Sequence, residues 1–257
     1  MIAIEARNLP SHVGIIMDGN GRWAQQQGGE RALGHRAGAQ AVRRVVRAAR
    51  RLGLRALTLY AFSEQNWSRP EAEIDALWAL LKQFLLSERD ELLDNGIRLN
   101  AIGNTGRLPG VVRAVLDPLR RDTDKAHEMT LTLALSYGGR EEIADAAREL
   151  AENVARGTMR PEDVTCEALH KLMPSLQVGD PDLVIRTGGE RRVSNFLLYG
   201  LAYAELHFAD VLWPDFDTEH LYEAIHSYQA RERRFGAVGK PAARLPDARA
   251  GAGPITA

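Results

Sequence analysis

Val13-Gly14-Ile15-Ile16-Met17-Asp18-Gly19-Asn20-Gly21-Arg22-Trp23 is the stretch that decides the fold. Its first five residues form a short, continuous apolar run. That predicts a strand over Val13–Met17 buried on both faces, as strands of a parallel sheet are. The run stops at a polar turn with two glycines. In a parallel sheet, ligands collect at the carboxyl ends of the strands, and glycine lets backbone N–H groups approach an anion closely. Arg22 and then Arg31 add forked donors for phosphate oxygens, and a helix starting near Gly21 would aim its N-terminus at the same place. Asp18 suits a phosphate neighbour when a hard cation such as Mg2+ stands between them. The same residues also fit a plain tight turn in which Asp18 caps a helix, so the loop alone leaves both readings open.

Outward from this stretch, five more apolar segments read as strands: Ala56–Ala61, Ile97–Ile102, Thr130–Ser136, Leu183–Arg186 and Glu205–Phe208. Helical patterns lie between most of them. Ala37–Leu52 carries Ala41, Val45, Ala48, Ala49 and Leu52 on one stripe, with Arg43, Arg44, Arg47, Arg50 and Arg51 mainly off it, and that arginine face reads as solvated surface. Pro70–Asn95 opens on proline and ends before Gly96, as a helix does. Its apolar face is wide: Ile74, Leu77, Trp78, Leu80, Leu81, Phe84, Leu85 and Leu86. Arg140–Val154 and Glu219–Arg234 are amphipathic helices, and Leu108–Ala126 is helical with a kink or break expected at Pro118. This alternation predicts a single α/β domain over residues 1–236, with a mainly parallel six-stranded sheet flanked by helices. Residues 237–257 are rich in Ala, Gly and Pro without periodicity, and a disordered tail is expected there.

The bulk numbers fit such a domain. The 257 residues are 45% hydrophobic and 26% charged, an ordinary soluble composition, and a chain of this size needs no disulfide or metal staple. Cys166, the sole cysteine, has no partner for an internal disulfide, and a reducing, cytoplasmic setting is expected. The first residues have neither the basic nor the apolar region of a signal peptide, and no apolar run reaches the roughly 18 residues of a membrane span. A net charge of −1 gives no ground for nucleic-acid binding through bulk charge. The seven histidines show no ligand spacing with Cys166, which argues against a zinc site.

Three further clusters stand at predicted strand ends. Arg186-Thr187-Gly188-Gly189-Glu190-Arg191-Arg192-Val193-Ser194 is a second glycine-rich turn, in which Arg186, Arg192 and Ser194 are set to bind an anion. Read blandly, its arginines pair with Glu190 and water. Two such turns in one sheet suggest two phosphate groups, hence two substrates. Tyr60–Pro70 brings Phe62, Ser63, Asn66, Trp67 and Arg69 to the end of the second strand, with the two aromatics also fitting plain core. Glu205 opens an otherwise apolar strand, as either a salt-bridged carboxylate or a metal ligand.

Taken together, the blocks HVGIIMDGNGRWA (12–24), GERALGHRAG (29–38), LTLYAFSEQNWSRP (57–70), LSYGGREEI (135–143), DLVIRTGGERRVSNFLLYGLAYAEL (182–206), VLWPDF (211–216) and RERRFG (231–236) resemble the cis-prenyltransferases, the bacterial undecaprenyl diphosphate synthases above all. The resemblance implies a Mg2+-dependent enzyme. It would extend an allylic diphosphate, typically farnesyl diphosphate, by repeated addition of isopentenyl diphosphate, with an apolar tunnel for the product. It implies that Asp18 and Asn66 are catalytic, and that Asp18 and Glu205 act with Mg2+. Gly19, Asn20, Gly21, Arg22, Trp23, Arg31 and His35 fall among the substrate positions, largely for the allylic diphosphate. Ser63, Gln65, Trp67 and Arg69 join the substrate site. Arg186, Arg192 and Ser194 match the isopentenyl diphosphate positions, and Arg234-Phe235-Gly236 matches a C-terminal motif that reaches the partner's site in a homodimer. Met129 resembles a tunnel-floor position without an aromatic plug, which favours long products, and a lipid product makes transient membrane contact reasonable.

One position departs from the pattern. Where the family usually has Glu two residues after the serine, this chain has Gln65, with Glu64 one residue earlier. A one-residue shift in extended chain turns a side chain the other way, so Glu64 is not a direct substitute. Either the loop adjusts, or Gln65 orients substrate and diphosphate takes the proton. The alternatives to a long-chain synthase are a short-chain or irregular prenyltransferase and a non-catalytic partner subunit. The latter is disfavoured by the presence of Asp18, Arg22, Arg31, Arg186 and Arg192. An unrelated phosphate-ester enzyme would call for nucleotide-binding loops that are not in the sequence.

Overall fold

The computed structural model describes Ile4, Glu5 and residues 8–231; Arg234, Phe235, Gly236 and the segment 237–257 lie outside the described residues. Six strands build one sheet: β1 (His12–Ile16), β2 (Ala56–Ser63), β3 (Ile97–Ile102), β4 (Met129–Tyr137), β5 (Leu183–Arg186) and β6 (Glu205–Phe208). Their spatial order is β3-β4-β2-β1-β5-β6 and every pairing is parallel. The helices are α1 (Asn20–Gln26), α2 (Arg31–Leu52), α3 (Glu71–Asp94), α4 (Gly110–Asp122), α5 (Gly139–Ala155), α6 (Cys166–Lys171) and α7 (Thr218–Gln229).

The chain leaves β1 to one side for β2 and returns on its other side as β5. The order therefore reverses around β1, and the carboxyl ends of β1 and β5 flank the crevice where ligands of such sheets bind. Both faces of the inner strands β1, β2, β4 and β5 are covered, which is why these read as mostly continuous apolar runs. Val13, Ile15 and Ile185 belong to the larger core cluster, shared with residues of α2, α3, α4 and α7. Ile16 and Val184 alternate to the other face and meet Tyr137, Phe196 and Leu197. Gly14 is small for a reason: a Cβ there would stand 3.0 Å from the Phe196 ring.

Three expectations need correction. Helix α2 starts at Arg31, six residues before the expected Ala37. Gly34 and Gly38 weaken the helical pattern, but they let α1 lie directly on α2, because a Cβ on Gly34 would fall 1.9 Å from the Asn20 carbonyl oxygen. Helix α4 runs unbroken through Pro118. The carbonyl that Pro118 leaves unbonded belongs to Ala114, which is exposed and so reaches water. The arginine face of α2 is not simply solvated. Arg43 holds Glu88 at 2.6 Å and Arg47 holds Glu91 at 2.6 Å on α3, while Arg44 donates to the Pro214 carbonyl at 2.8 Å. On α3 itself, Ile74, Trp78 and Leu85 are buried, Leu77, Leu80, Leu81 and Phe84 are half-buried, and Leu86 is 57% exposed.

Candidate active site

Asp18 follows β1 and meets the end of β5 directly. Its Oδ2 accepts from Arg186 Nη2 at 2.7 Å, and its Oδ1 lies 3.5 Å from Arg22 Nη2. Thr187, fully buried, ties the two loops together: its hydroxyl accepts from the Asp18 N–H at 2.9 Å and donates to the Asp18 carbonyl at 2.7 Å. Gly19 turns the chain with φ +112 into α1, a seven-residue helix whose short length limits its dipole. Gly188, at φ +84, is equally constrained. A Cβ there would meet Arg22 Nη2 at 2.5 Å and the Asp18 carbonyl oxygen at 3.2 Å.

Arg186 is the most enclosed cation of the site, its side chain 5% exposed. Nη1 donates to the Arg192 carbonyl and to Ser194 Oγ, both at 2.6 Å, while buried Nε has no partner. An unpaired buried donor is costly, and at a strand end next to two glycines it suits an incoming anion. Ser194 and Asn195 both take positive φ, and α5 holds them there. Asn195 Oδ1 accepts from the Arg140 N–H at 2.9 Å, and its Nδ2 donates to Glu141 at 2.8 Å. Tyr60 adds a hydrogen bond to the Ser194 carbonyl at 3.3 Å. Thr187, Asn195 and Tyr60 were not singled out from the sequence. Of their surroundings, LSYGGREEI entered only as one of the blocks of the family resemblance, with no role assigned to it.

A second cationic group stands beside the first. Arg31 and His35, one turn apart on α2, converge with Arg69 on Glu73 of α3. Arg31 Nη1 is 3.2 Å and Arg69 Nη1 3.1 Å from the Glu73 carboxylate, and His35 Nε2 is 3.7 Å away. Burial pushes the His35 pKa below the ordinary 6.5, with Arg69 adding to the effect and Glu73 opposing it. Gly21 runs alongside Arg31, whose Nε a Cβ there would meet at 3.6 Å, so the two groups share the Asp18–Arg22 loop.

The segment after β2 forms a 3-10 turn over Glu64–Ser68, closed by reciprocal bonds between Ser63 and Asn66. Trp67 packs with Phe62 and Trp78, and its N–H donates to Ser136 Oγ at 2.8 Å. Glu64 is engaged by Arg107 and accepts from Ser136 Oγ at 2.6 Å, whereas Gln65 is exposed. Trp23 donates to Asp215 at 2.8 Å. Arg192 pairs with Glu190 at 2.6 Å, as its bland reading has it.

Glu205 is not brought to Asp18. It opens β6 opposite Leu183, three residues before Arg186, which puts it about 10 Å towards the amino edge of the sheet, and Arg231 pairs with its carboxylate. Among the described residues no three His, Cys, Asp or Glu side chains cluster as a metal site. Asp18 alone suits Mg2+ of the kind that takes one or two carboxylates together with substrate phosphates and water.

A family profile described as "Putative undecaprenyl diphosphate synthase" matches residues 16–236. The chain belongs to the undecaprenyl diphosphate synthase family. Within this prenyltransferase family it is similar to an isoprenyl transferase of Geobacillus kaustophilus, 47% identical over 90% of each chain. It is also similar to a ditrans,polycis-undecaprenyl-diphosphate synthase of Pasteurella multocida described as (2E,6E)-farnesyl-diphosphate specific, 44% identical over 92% of this chain and 98% of that one. The crystal structure of lavandulyl diphosphate synthase from Lavandula x intermedia, in complex with dimethylallyl diphosphate, superposes with a TM-score of 0.86 at 35% identity. The match covers 89% of this chain and 99% of that one. A likeness of that extent shows that this chain and the lavandulyl diphosphate synthase share their fold. No helix among the described residues is long and apolar enough to cross a membrane.

Proposed function

We propose that this prenyltransferase condenses isopentenyl diphosphate repeatedly with an allylic diphosphate, farnesyl diphosphate, to give a long-chain cis-polyprenyl diphosphate, undecaprenyl diphosphate. The observation that carries the reading is the Asp18–Arg186 contact at 2.7 Å across the ends of β1 and β5, with Arg186 Nε left unpartnered. Two anion-ready turns so interlocked fit two diphosphates side by side. Arg22, Arg31, His35 and Arg69, with the Gly19–Gly21 backbone, take the allylic diphosphate; Arg186, Arg192 and Ser194 take isopentenyl diphosphate.

Bound Mg2+ would neutralise charge on the departing diphosphate. As the allylic carbon–oxygen bond breaks, the guanidinium groups stabilise the growing negative charge more than the ground state. The isopentenyl double bond forms the new carbon–carbon bond, and one proton must leave. Gln65 carries no basic group, and Glu64 is occupied by Arg107 and Ser136, so the released diphosphate accepts that proton. The half-buried row Leu77, Leu80, Leu81 and Phe84 of α3 borders the path of the growing chain. In keeping with the resemblance, the enzyme acts as a cytoplasmic homodimer with transient membrane contact. Glu205, away from Asp18 and paired with Arg231, would hold Mg2+ only at a position separate from that of Asp18.

Incubation with farnesyl and isopentenyl diphosphates plus Mg2+, followed by mass measurement, tests this. A ladder ending in a long polyprenyl diphosphate is expected, and no incorporation would overturn it. The likeness to lavandulyl diphosphate synthase supports a second reading, a short or irregular coupling, which a product that stops after a single coupling step would bear out.

A further inference from the structure

Glu73 is the one carboxylate on which Arg31, Arg69 and His35 all converge, and it belongs to none of the anion-binding turns. Its side chain is 12% exposed, while that of Arg31 is 59% exposed. An acid in the first turn of α3 is favoured by the helix dipole, but that explains neither the arginine from α2 nor the histidine one turn along. Both guanidinium groups give the carboxylate only Nη1, so Nε and Nη2 of each are left for another acceptor. Two guanidinium charges against one carboxylate leave the cluster positive, and like charges this close would spread into solvent without the carboxylate between them.

We propose that Glu73 is a positioning residue for the allylic diphosphate: it gathers Arg31, Arg69 and His35 into a receiving site while leaving most of their donors free. The inference rests on the prenyltransferase reading above. Gly21 lies against Arg31, so the gathered cations face the loop that carries Asp18. The role is indirect, because a carboxylate repels a diphosphate and Glu73 acts only through the cations it holds.

Glu73→Gln keeps the shape and removes the charge. The expected result is a KM for the allylic diphosphate raised about tenfold, the scale of one charge-assisted hydrogen bond, with kcat and the KM for isopentenyl diphosphate within about twofold. Calorimetric binding of inorganic diphosphate to the full chain should weaken by about the same factor. An unchanged allylic KM would reduce Glu73 to a helix-capping acid, and a lowered one would make it a competitor of the diphosphate; either overturns the proposal. If Glu73→Gln does not fold, Glu73→Asp carries the test, a raised allylic KM supporting the proposal and an unchanged one overturning it. If the wild type condenses no isoprenoid yet binds inorganic diphosphate more tightly than the variant, the functional reading fails and the positioning role stands.

Discussion

Asp18 shares its carboxylate between two arginines, close to Arg186 and more loosely to Arg22. Asp18→Asn keeps the shape but loses the charge that draws a cation beside the diphosphate. We expect kcat to fall roughly 10²–10³-fold, as when one oxyanion-stabilising group is removed. The stability cost should be about 1.5–3 kcal/mol for the lost charged hydrogen bond, read by urea titration beside a steady-state assay. Gln65 leads to a second expectation. It is exposed, and if diphosphate is the proton acceptor, Gln65→Glu should change kcat by less than about threefold and stability by less than about 0.5 kcal/mol; a large gain in kcat would restore the proton to a side chain. At this scale the sequence was legible for residues that sit in turns. Asp18 and Arg186 could be found because glycines surround them. Thr187 and Glu73 could not, since a lone threonine after a strand and an acid in a first helical turn are ordinary until the fold brings partners from about 170 and about 40 residues away.

The strands were the most legible elements. Ile97–Ile102, Leu183–Arg186 and Glu205–Phe208 match the expected spans. Leu183–Arg186 is buried throughout and writes a mostly apolar run, whereas the edge strands β3 and β6 carry Arg98, Asn100, Glu205 and His207 between their apolar residues. Helix α2 was legible from Ala37 onward but not in its first six residues. Its first turns obey a contact, not a propensity. Gly34→Ala adds a Cβ 1.9 Å from the Asn20 carbonyl oxygen. Its gain in helix propensity of about 1 kcal/mol is outweighed by overpacking of about 1–3 kcal/mol and the displacement of α1. Calorimetry should register a lower Tm, with a larger loss of activity than of stability because α1 carries Arg22.

β1 also bears a titratable group. His12, 1% exposed, contacts the Gly179 carbonyl through Nδ1 at 2.8 Å and Thr58 Oγ1 through Nε2 at 2.7 Å, and burial pushes its pKa down. Below about pH 6.5 the unfolded chain takes up the proton first. Stability from His12 is therefore complete above that pH and is lost as the pH falls from it towards the folded value. Between pH 7.5 and 5.5 the urea midpoint should drop, and drop less in His12→Gln. The residual slope belongs to His35 and His207, whose pKa values are also lowered by burial. Glu91, held low by Arg47, titrates below this window.

For the whole molecule, the sheet order explains why two distant turns make one site. Strand alternation made the parallel sheet legible, but the reversal around β1, which sets residues 18 and 186 side by side, appears only in the spatial order. The core closes without any cluster of three metal-ligating side chains among the described residues, and Asp18 offers a single carboxylate. If Mg2+ enters with the diphosphate, a chelator should abolish condensation yet leave the Tm of the substrate-free protein unchanged. Mg2+ alone should raise that Tm little. Mg2+ with an allylic diphosphate at about 100 times its Kd should add roughly 2.7 kcal/mol, a shift of about 5–10 °C for a chain of this size. A Tm that falls on chelation in the absence of substrate would mean that the protein holds a metal ion of its own, with ligands beyond Asp18.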